Sequence, residues 1–332
     1  MTRSISLRLE VLALIATMTV AIALAQTPAP VTVNVFPGGF NWPSFVAQEK
    51  GFFERNGIVV TLQPTPNSVT QMTGLAEGRF DIAITAVDNI VAYVEGQGEA
   101  PIGPQSEFVA FMGSDSGFLS LVVAPDVTRF ADLKGRTLSV DARTTGYAFV
   151  LFELLRRNGL TLDKDYRVER AGGMTQRWEA LREGKQAGTL LSTPFNILAK
   201  EQRFNQLAQA TAVIGPYQGN VAATRRSWAR ENRATVIGFI RAYAQAIDWL
   251  YEKANRDEAI AILSKNVAMS PVLAARSYDE LVDPEDGFFR KARISIDGLR
   301  TVLALRTRYA GAGTLTDPAK YYDPTYYEAA MR

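Results

Sequence analysis

Val31, Val33 and Val35 alternate with polar residues, the period of a half-buried strand, and a turn at Pro37, Gly38 and Gly39 follows. Asn41 and Pro43 then open a helix, with Asn as the N-cap and Pro in a first turn whose N–H groups lack helical partners in any case. Phe45, Val46, Phe52 and Phe53 supply its apolar positions, Asn56 and Gly57 stop it, and 58–62 reads as a second strand. The unit recurs. Asn67 or Ser68 caps a helix carrying Met72, Leu75 and Ala76, Gly78 ends it, and the strand 80–84 runs into a helix near 88–95. Further units lie at 137–140 into 147–157 and at 188–191 into 194–203. Beyond Ser227 the period changes: 236–251, 257–264, 272–281 and 295–308 carry apolar residues three and four apart with no strand between them. These helices must cover sheets built earlier, and the cluster Tyr321, Tyr322, Tyr326 and Tyr327 reads as packing of the tail against the body. Alternating strand and helix predicts an α/β protein with mainly parallel sheets flanked by helices.

Residues 1–25 have a different pattern: Arg3 and Arg8, then the apolar run 11–24, then Ala23, Leu24 and Ala25 as an A-x-A site. That order is a secretory signal peptide with cleavage after Ala25. The run of about 14 residues is short of the roughly 20 that span a bilayer. The mature chain is therefore expected to be exported and periplasmic.

Composition narrows the chemistry. The 332 residues include no His and no Cys, which excludes Ser-His and Cys-His nucleophile pairs, imidazole or thiolate metal sites, disulfides and a lipid-bearing cysteine. Lys plus Arg is 36 against 34 Asp plus Glu, so the formal charge of +2 provides no field for nucleic acid. No cofactor and no metal are expected, and the chain is read as a binder rather than an enzyme. Ser114, Asp115 and Ser116 between Gly113 and Gly117 carry Asp where a nucleophile elbow needs Ser. The acidic run from Asp283 to Gly287 lacks calcium-loop spacing, and Gly96 and Gly98 lack the third glycine and the preceding strand of a dinucleotide fingerprint.

In open α/β sheets ligands collect where strands end and helix N-termini present unpaired N–H groups. Four such junctions are legible. The first holds Gly38, Gly39, Phe40, Asn41 and Trp42; Phe36, Phe40 and Trp42 there either form an aromatic face for a ligand ring, with Trp42 the one read as facing out, or Phe36 and one other are core. The second holds Thr85, Asp88 and Asn89, where Asp88 either accepts from a ligand amine or complements the helix dipole. The third holds Arg143, Thr144, Thr145, Gly146 and Tyr147. Its threonines either seat an anion or cap the helix, and Arg143 either clamps the anion or is solvated. The fourth holds Ser192, Thr193, Pro194 and Phe195, with Thr193 and Phe195 the candidate contacts.

The residues Phe45, Val46, Ala47, Gln48, Glu49, Lys50, Gly51, Phe52, Phe53, Glu54, Arg55, Asn56 and Gly57 resemble the opening of a known family. It is that of the nitrate/sulfonate/taurine and pyrimidine-precursor (NMT1/THI5-like) solute-binding proteins of ABC transporters. The stretch 74–84 is similar to that family's second signature, and Asp132, Leu133, Lys134, Gly135 and Arg136 to its approach to a second lobe. The resemblance implies a two-lobed type II periplasmic binding protein fold, with 26–115 and 221–332 in one discontinuous lobe and 116–220 in the other. It implies a hinge at the crossings 113–117 and 215–219, with Ser116 and Gln218 joining the ligand site between the lobes. The function it implies is capture of a small organic solute by lobe closure and delivery to an inner-membrane ABC permease. That solute is a sulfonate, a taurine-like molecule, a carboxylate or an aromatic anion, and the protein acts as a monomer. Binding of a pyrimidine or thiamine precursor is the alternative, followed by a same-fold enzyme and by a periplasmic sensor component. The pyrimidine-synthesising relatives depend on a histidine and a cysteine-rich motif that this chain lacks.

Overall fold

The chain is described here by a computed structural model that covers residues 27–311 and 313–332. The expected signal peptide, with its cleavage after Ala25, lies outside the described residues. The alternating segments form two five-stranded sheets. In the first, β1 (Ala29–Val35) lies between β2 (Ile58–Pro64) and β3 (Ile82–Ala86), both parallel to it. In chain order β4 (Phe108–Gly113), β5 (Ser120–Val123), β6 (Thr137–Val140), β7 (Arg167–Arg170), β8 (Gly188–Leu191), β9 (Asn205–Gln209) and β10 (Asn220–Arg225) follow. The first sheet runs β2-β1-β3-β10-β4 and the second β7-β6-β8-β5-β9.

Each sheet is parallel apart from one strand, β10 in the first and β5 in the second, which is antiparallel to both neighbours. These are the strands by which the chain enters each sheet from the other. Such a strand starts at the edge where the parallel strands finish and must run back against them. The two-lobed α/β expectation with mainly parallel sheets therefore stands, each sheet being mixed through its one antiparallel strand.

Local signals hold where they depend on neighbouring residues alone. Asn67 accepts the Thr70 N–H at 2.9 Å as an N-cap, and Gly78 ends that helix in the left-handed region. Asn41 does not cap. Its amide instead donates to Phe36 O at 2.6 Å and Gly38 O at 3.3 Å, tying down the turn after β1. The C-terminal helices Arg233–Tyr251, Arg256–Val267 and Pro271–Leu281 pack Phe239, Tyr243, Leu263 and Leu281 into one core with Val33, Ile84 and Trp42. The terminal tyrosines are buried, as expected of a tail packed on the body.

The helix Ile296–Tyr309 bridges the sheets' helical layers. Its Tyr309 ring stacks on Phe149, with centroids 5.8 Å apart, and donates its hydroxyl to Glu153 at 2.8 Å. Glu153, its side chain only 4% exposed, also takes hydrogen bonds from Arg156 and Arg157 at 2.8–2.9 Å. Arg156 above all holds its carboxyl down at about 2, against an ordinary value of 4.5. Because the folded pKa is depressed, this contribution is complete above about 4.5 and disappears as pH falls toward about 2. Glu153→Gln is therefore expected to destabilise the fold at neutral pH, with the gap from wild type narrowing steadily through that window in urea titrations. A gap independent of pH would show that the charge contributes nothing.

The two crossings, 114–119 and 210–219, are locked together. Asp115, fully buried, accepts from the Gly117 N–H at 2.7 Å and from the Asn220 side chain at 2.9 Å. Gln218 donates to Asn220 O and accepts from Ser295 N, both at 2.8 Å. A Cβ on Gly219 would stand 2.1 Å from Gly117 N, so backbone contact between the crossings requires glycine there.

Candidate functional site

Residues that follow β1, β2 and β3 in one sheet and β6, β7 and β8 in the other line a single cavity of about 130 Å³. That volume is close to the roughly 150 Å³ pocket in which one benzene molecule fits. The space is thus of a size for about one small ring or its equivalent. The arrangement follows from parallel strands, which place their carboxyl ends, and the helix N-termini after them, on the same side.

One part of the wall is apolar. The turn held by Asn41 presents Phe36, Pro37 and Phe40, and Pro66, Met174 and the Tyr147 ring add to it. Burial pushes the Tyr147 phenol far above its ordinary pKa, so it remains a neutral hydroxyl. Gly146 also lines the cavity. A Cβ there would meet the Asp88 Cβ at 2.4 Å, because the starts of the helices Gly146–Arg157 and Val87–Val94 abut across the lobes.

The polar part centres on Arg177, in the second turn of the helix Met174–Arg182 after β7. It is 4% exposed, its Nε is buried without a hydrogen-bond partner, and among the described residues no carboxylate lies within 4.0 Å of its guanidinium. Burial lowers its pKa from the ordinary value, opposed by the nearby Asp141 and Tyr147. Arginine nevertheless stays protonated in proteins. A buried guanidinium with no counter-ion is costly, and an anion at that point relieves the cost. Asn89 uses its amide nitrogen on the Thr85 hydroxyl at 2.8 Å, and Asn220, Thr65, Ser68 and Ser192 complete the polar edge.

Of the residues singled out in the sequence, Phe36, Phe40, Asn89, Thr145, Gly146, Tyr147 and Ser192 line the cavity. Thr145 spends its hydroxyl on Ala142 O at 3.0 Å, a local turn bond and not a cap on the helix that follows. The others lie elsewhere, each for a visible reason. Trp42 is 0% exposed, donates its indole N–H to Ala259 O at 3.0 Å and meets Tyr278 edge-on at 5.6 Å, so it is core and Phe36 takes the place expected of it. Asp88 is held by Arg306, Nε to Oδ1 at 2.8 Å and Nη2 to Oδ2 at 2.5 Å, which leaves it no ligand to accept from. Arg143 is on the surface, paired with Asp163 at 2.6 Å, and the exposed Thr144 hydroxyl donates to Glu99.

Gly39 and Asn41 lie behind the turn they shape, with Gly39 against Thr193 O, and Thr85 is behind Asn89. Thr193 is buried, and Phe195 packs against the cluster of Trp178 and Leu191. Gln218 is taken up by the crossings, and Ser116 borders a separate depression with Glu285 and Phe289.

Trp42→Ala is accordingly expected to cost about 3–5 kcal/mol of stability, the range for emptying a large aromatic site in a core. Ligand affinity should not change. Lost affinity at full stability would return the ring to the site.

Sequence reasoning missed two junctions, Thr65 to Ser68 after β2 and Gly173 to Arg177 after β7. In β7 only Val168 is buried, so no apolar period marks it. The pair Gly172 and Gly173 ahead of a helical pattern was the available signal. No group of three or more Asp, Glu, His or Cys that could hold a metal occurs among the described residues.

The model of the NMT1-like family matches residues 25–264. The chain is 27% identical over 241 residues, 70% of its length and 68% of the relative's, to "Putative binding protein YtlA" of Bacillus subtilis (strain 168). In structure it is similar to the periplasmic nitrate-binding protein NrtA from Synechocystis PCC 6803, with a TM-score of 0.75 at 13% identity over 91% of this chain and 88% of that one. It is also similar to the periplasmic aliphatic sulphonate binding protein SsuA from Escherichia coli, with a TM-score of 0.65 at 18% identity over 86% of each chain. At such identities the structural likeness establishes the fold, that of the periplasmic solute-binding proteins.

Proposed function

This chain belongs to the NMT1-like family, and from that premise we propose that it is the solute-binding component of an ABC importer. It captures one small organic anion per molecule between its lobes, in the periplasm, as a monomer, and hands it to the permease. The observation that carries this reading is Arg177, a buried guanidinium with no ion-pair partner among the described residues, in the wall of a cavity at six strand ends. Phe36, Phe40 and Tyr147 beside it suit an apolar or ring-bearing remainder, and the cavity volume of about 130 Å³ holds the ligand to one small ring.

The lobes are 26–115 with 221–332, and 116–220, a division supported by the strand membership of the two sheets. The crossings between them act as the hinge. Moving such a protein from 1:99 to 99:1 closed requires a ligand that favours the closed form by about 5.5 kcal/mol. A charge-assisted contact at Arg177 and burial of a ring supply interactions of that order. No covalent step is needed, and a chain without His or Cys offers few groups to perform one.

The test is calorimetry on refolded protein against sulfonates, nitrate, carboxylates, aromatic acids and pyrimidines, followed by uptake of the tightest binder in a strain lacking the gene. One organic anion binding at 1:1, with impaired uptake in the deletion strain, is the expected result. Binding of neutral pyrimidines alone would overturn the anion reading, and unimpaired uptake the import reading.

A further inference from the structure

Arg177 is one of two charged side chains left open in the cavity. Asp141, the residue immediately after β6, lines the same space. Its Oδ2 accepts the Ser68 hydroxyl from across the cleft at 3.1 Å, and its Oδ1 is buried with no partner. The two charges are near enough to act on each other, yet among the described residues no Asp141 oxygen comes within 4.0 Å of the guanidinium. Asp141 is anchored at the end of β6 and by Ser68, and Arg177 on the helix after β7, so the frame holds them apart. A purely anionic ligand answers Arg177 and leaves Asp141 unsatisfied, with a carboxylate facing an anion in a cavity of about 130 Å³.

We propose that the ligand is amphoteric: an organic anion that also carries an ammonium or N–H donor a few bonds from its acidic group, with the acid on Arg177 and the donor on Asp141. This deepens the anion reading and rests on it. Both side chains line the one cavity without pairing with each other, so a ligand with an acid at one end and a donor at the other can answer both. The apolar wall of Phe36, Phe40 and Tyr147 then covers the atoms between them.

Calorimetry with matched pairs tests this: taurine against ethanesulfonate, 4-aminobutanoate against butanoate, and 3-aminobenzoate against benzoate. In the wild type the amino member of at least one pair should bind tenfold or more tighter than its partner. Asp141→Asn should abolish that preference and tighten binding of the amine-free anion, since the carboxylate no longer repels it. If amine-free anions bind the wild type as well as or better than their amino partners, or if the preference survives Asp141→Asn, the amphoteric ligand is wrong and the anion reading stands. If no member of any pair binds while an amine-free anion of the wider panel does, the amphoteric ligand is wrong and the anion reading stands. The wild-type comparison decides the matter even if the variant does not fold.

Discussion

Arg177→Met is expected to weaken binding of the anionic solute by about 2–5 kcal/mol, roughly thirtyfold to a few thousandfold, because it removes one partner of a desolvated charge contact. The same substitution should leave the unliganded fold as stable as wild type or more so. The guanidinium is 4% exposed with an unpartnered Nε and no ion pair among the described residues, and only the more distant Asp141 offsets its burial, so a hydrophobic side chain of similar length relieves a largely uncompensated one. Opposite signs in the two measurements separate a binding role from a structural one. Calorimetry showing unchanged affinity would place the anion elsewhere, and a large loss of stability in urea would make Arg177 part of the frame.

The second large effect is expected at Arg306, and there the signs reverse. Arg306 is 0% exposed and donates to both oxygens of Asp88, to Gln97 Oε1 at 2.9 Å and to Thr144 O at 2.9 Å. It also lies over the Phe149 ring, 5.0 Å from its centroid. Arg306→Met strands the buried Asp88 carboxylate and should cost about 3–5 kcal/mol of folding free energy. Adding Asp88→Leu should recover part of that loss, since replacing both members of a buried pair is far milder than breaking it. Denaturant unfolding of the single and double variants gives the coupling directly. A single variant within about 1 kcal/mol of wild type would mean that Asp88 finds another partner, and its reading as a ligand contact would reopen.

These two arginines also mark what was legible in the chain. Junctions read from local pattern include Phe36, Phe40, Asn89, Thr145, Gly146, Tyr147 and Ser192, which line the cavity, because a strand end followed by a helix start fixes position with few residues. Misplacements occurred where the deciding partner is distant. Trp42 beside a polar Asn and a Pro has the pattern of an exposed helix start, but Ala259, 217 residues away, takes its indole N–H. Asp88 finds Arg306 218 residues later. Both partners come from the C-terminal helices that the period of the sequence had already identified as covering earlier sheets. What it could not say was which residues they cover. Arg177 escaped for another reason: the strand ahead of it is an edge strand with one buried residue, so the junction carrying the cavity's buried cation had no apolar signature.

Arg143, Thr144 and Thr145 show how similar chemistry divides by position. All three follow β6, yet Arg143 and Thr144 turn to surface acids while Thr145 and Asp141 face the cavity. The hydroxyl-rich run suggested the anion seat, and the proposed site moves it to the guanidinium on the neighbouring junction. Hydroxyls beside a helix start are satisfied by local backbone, as Thr145 is by Ala142.

The most direct test is a crystal structure of the mature chain with the tightest-binding solute from the calorimetric panel. The solute should lie between the two sheets with its acidic oxygens about 2.7–2.9 Å from the Arg177 guanidinium and its apolar part against Phe36, Phe40 and Tyr147. A solute bound outside this cavity, or one that turns its apolar part to Arg177, would contradict the proposed site.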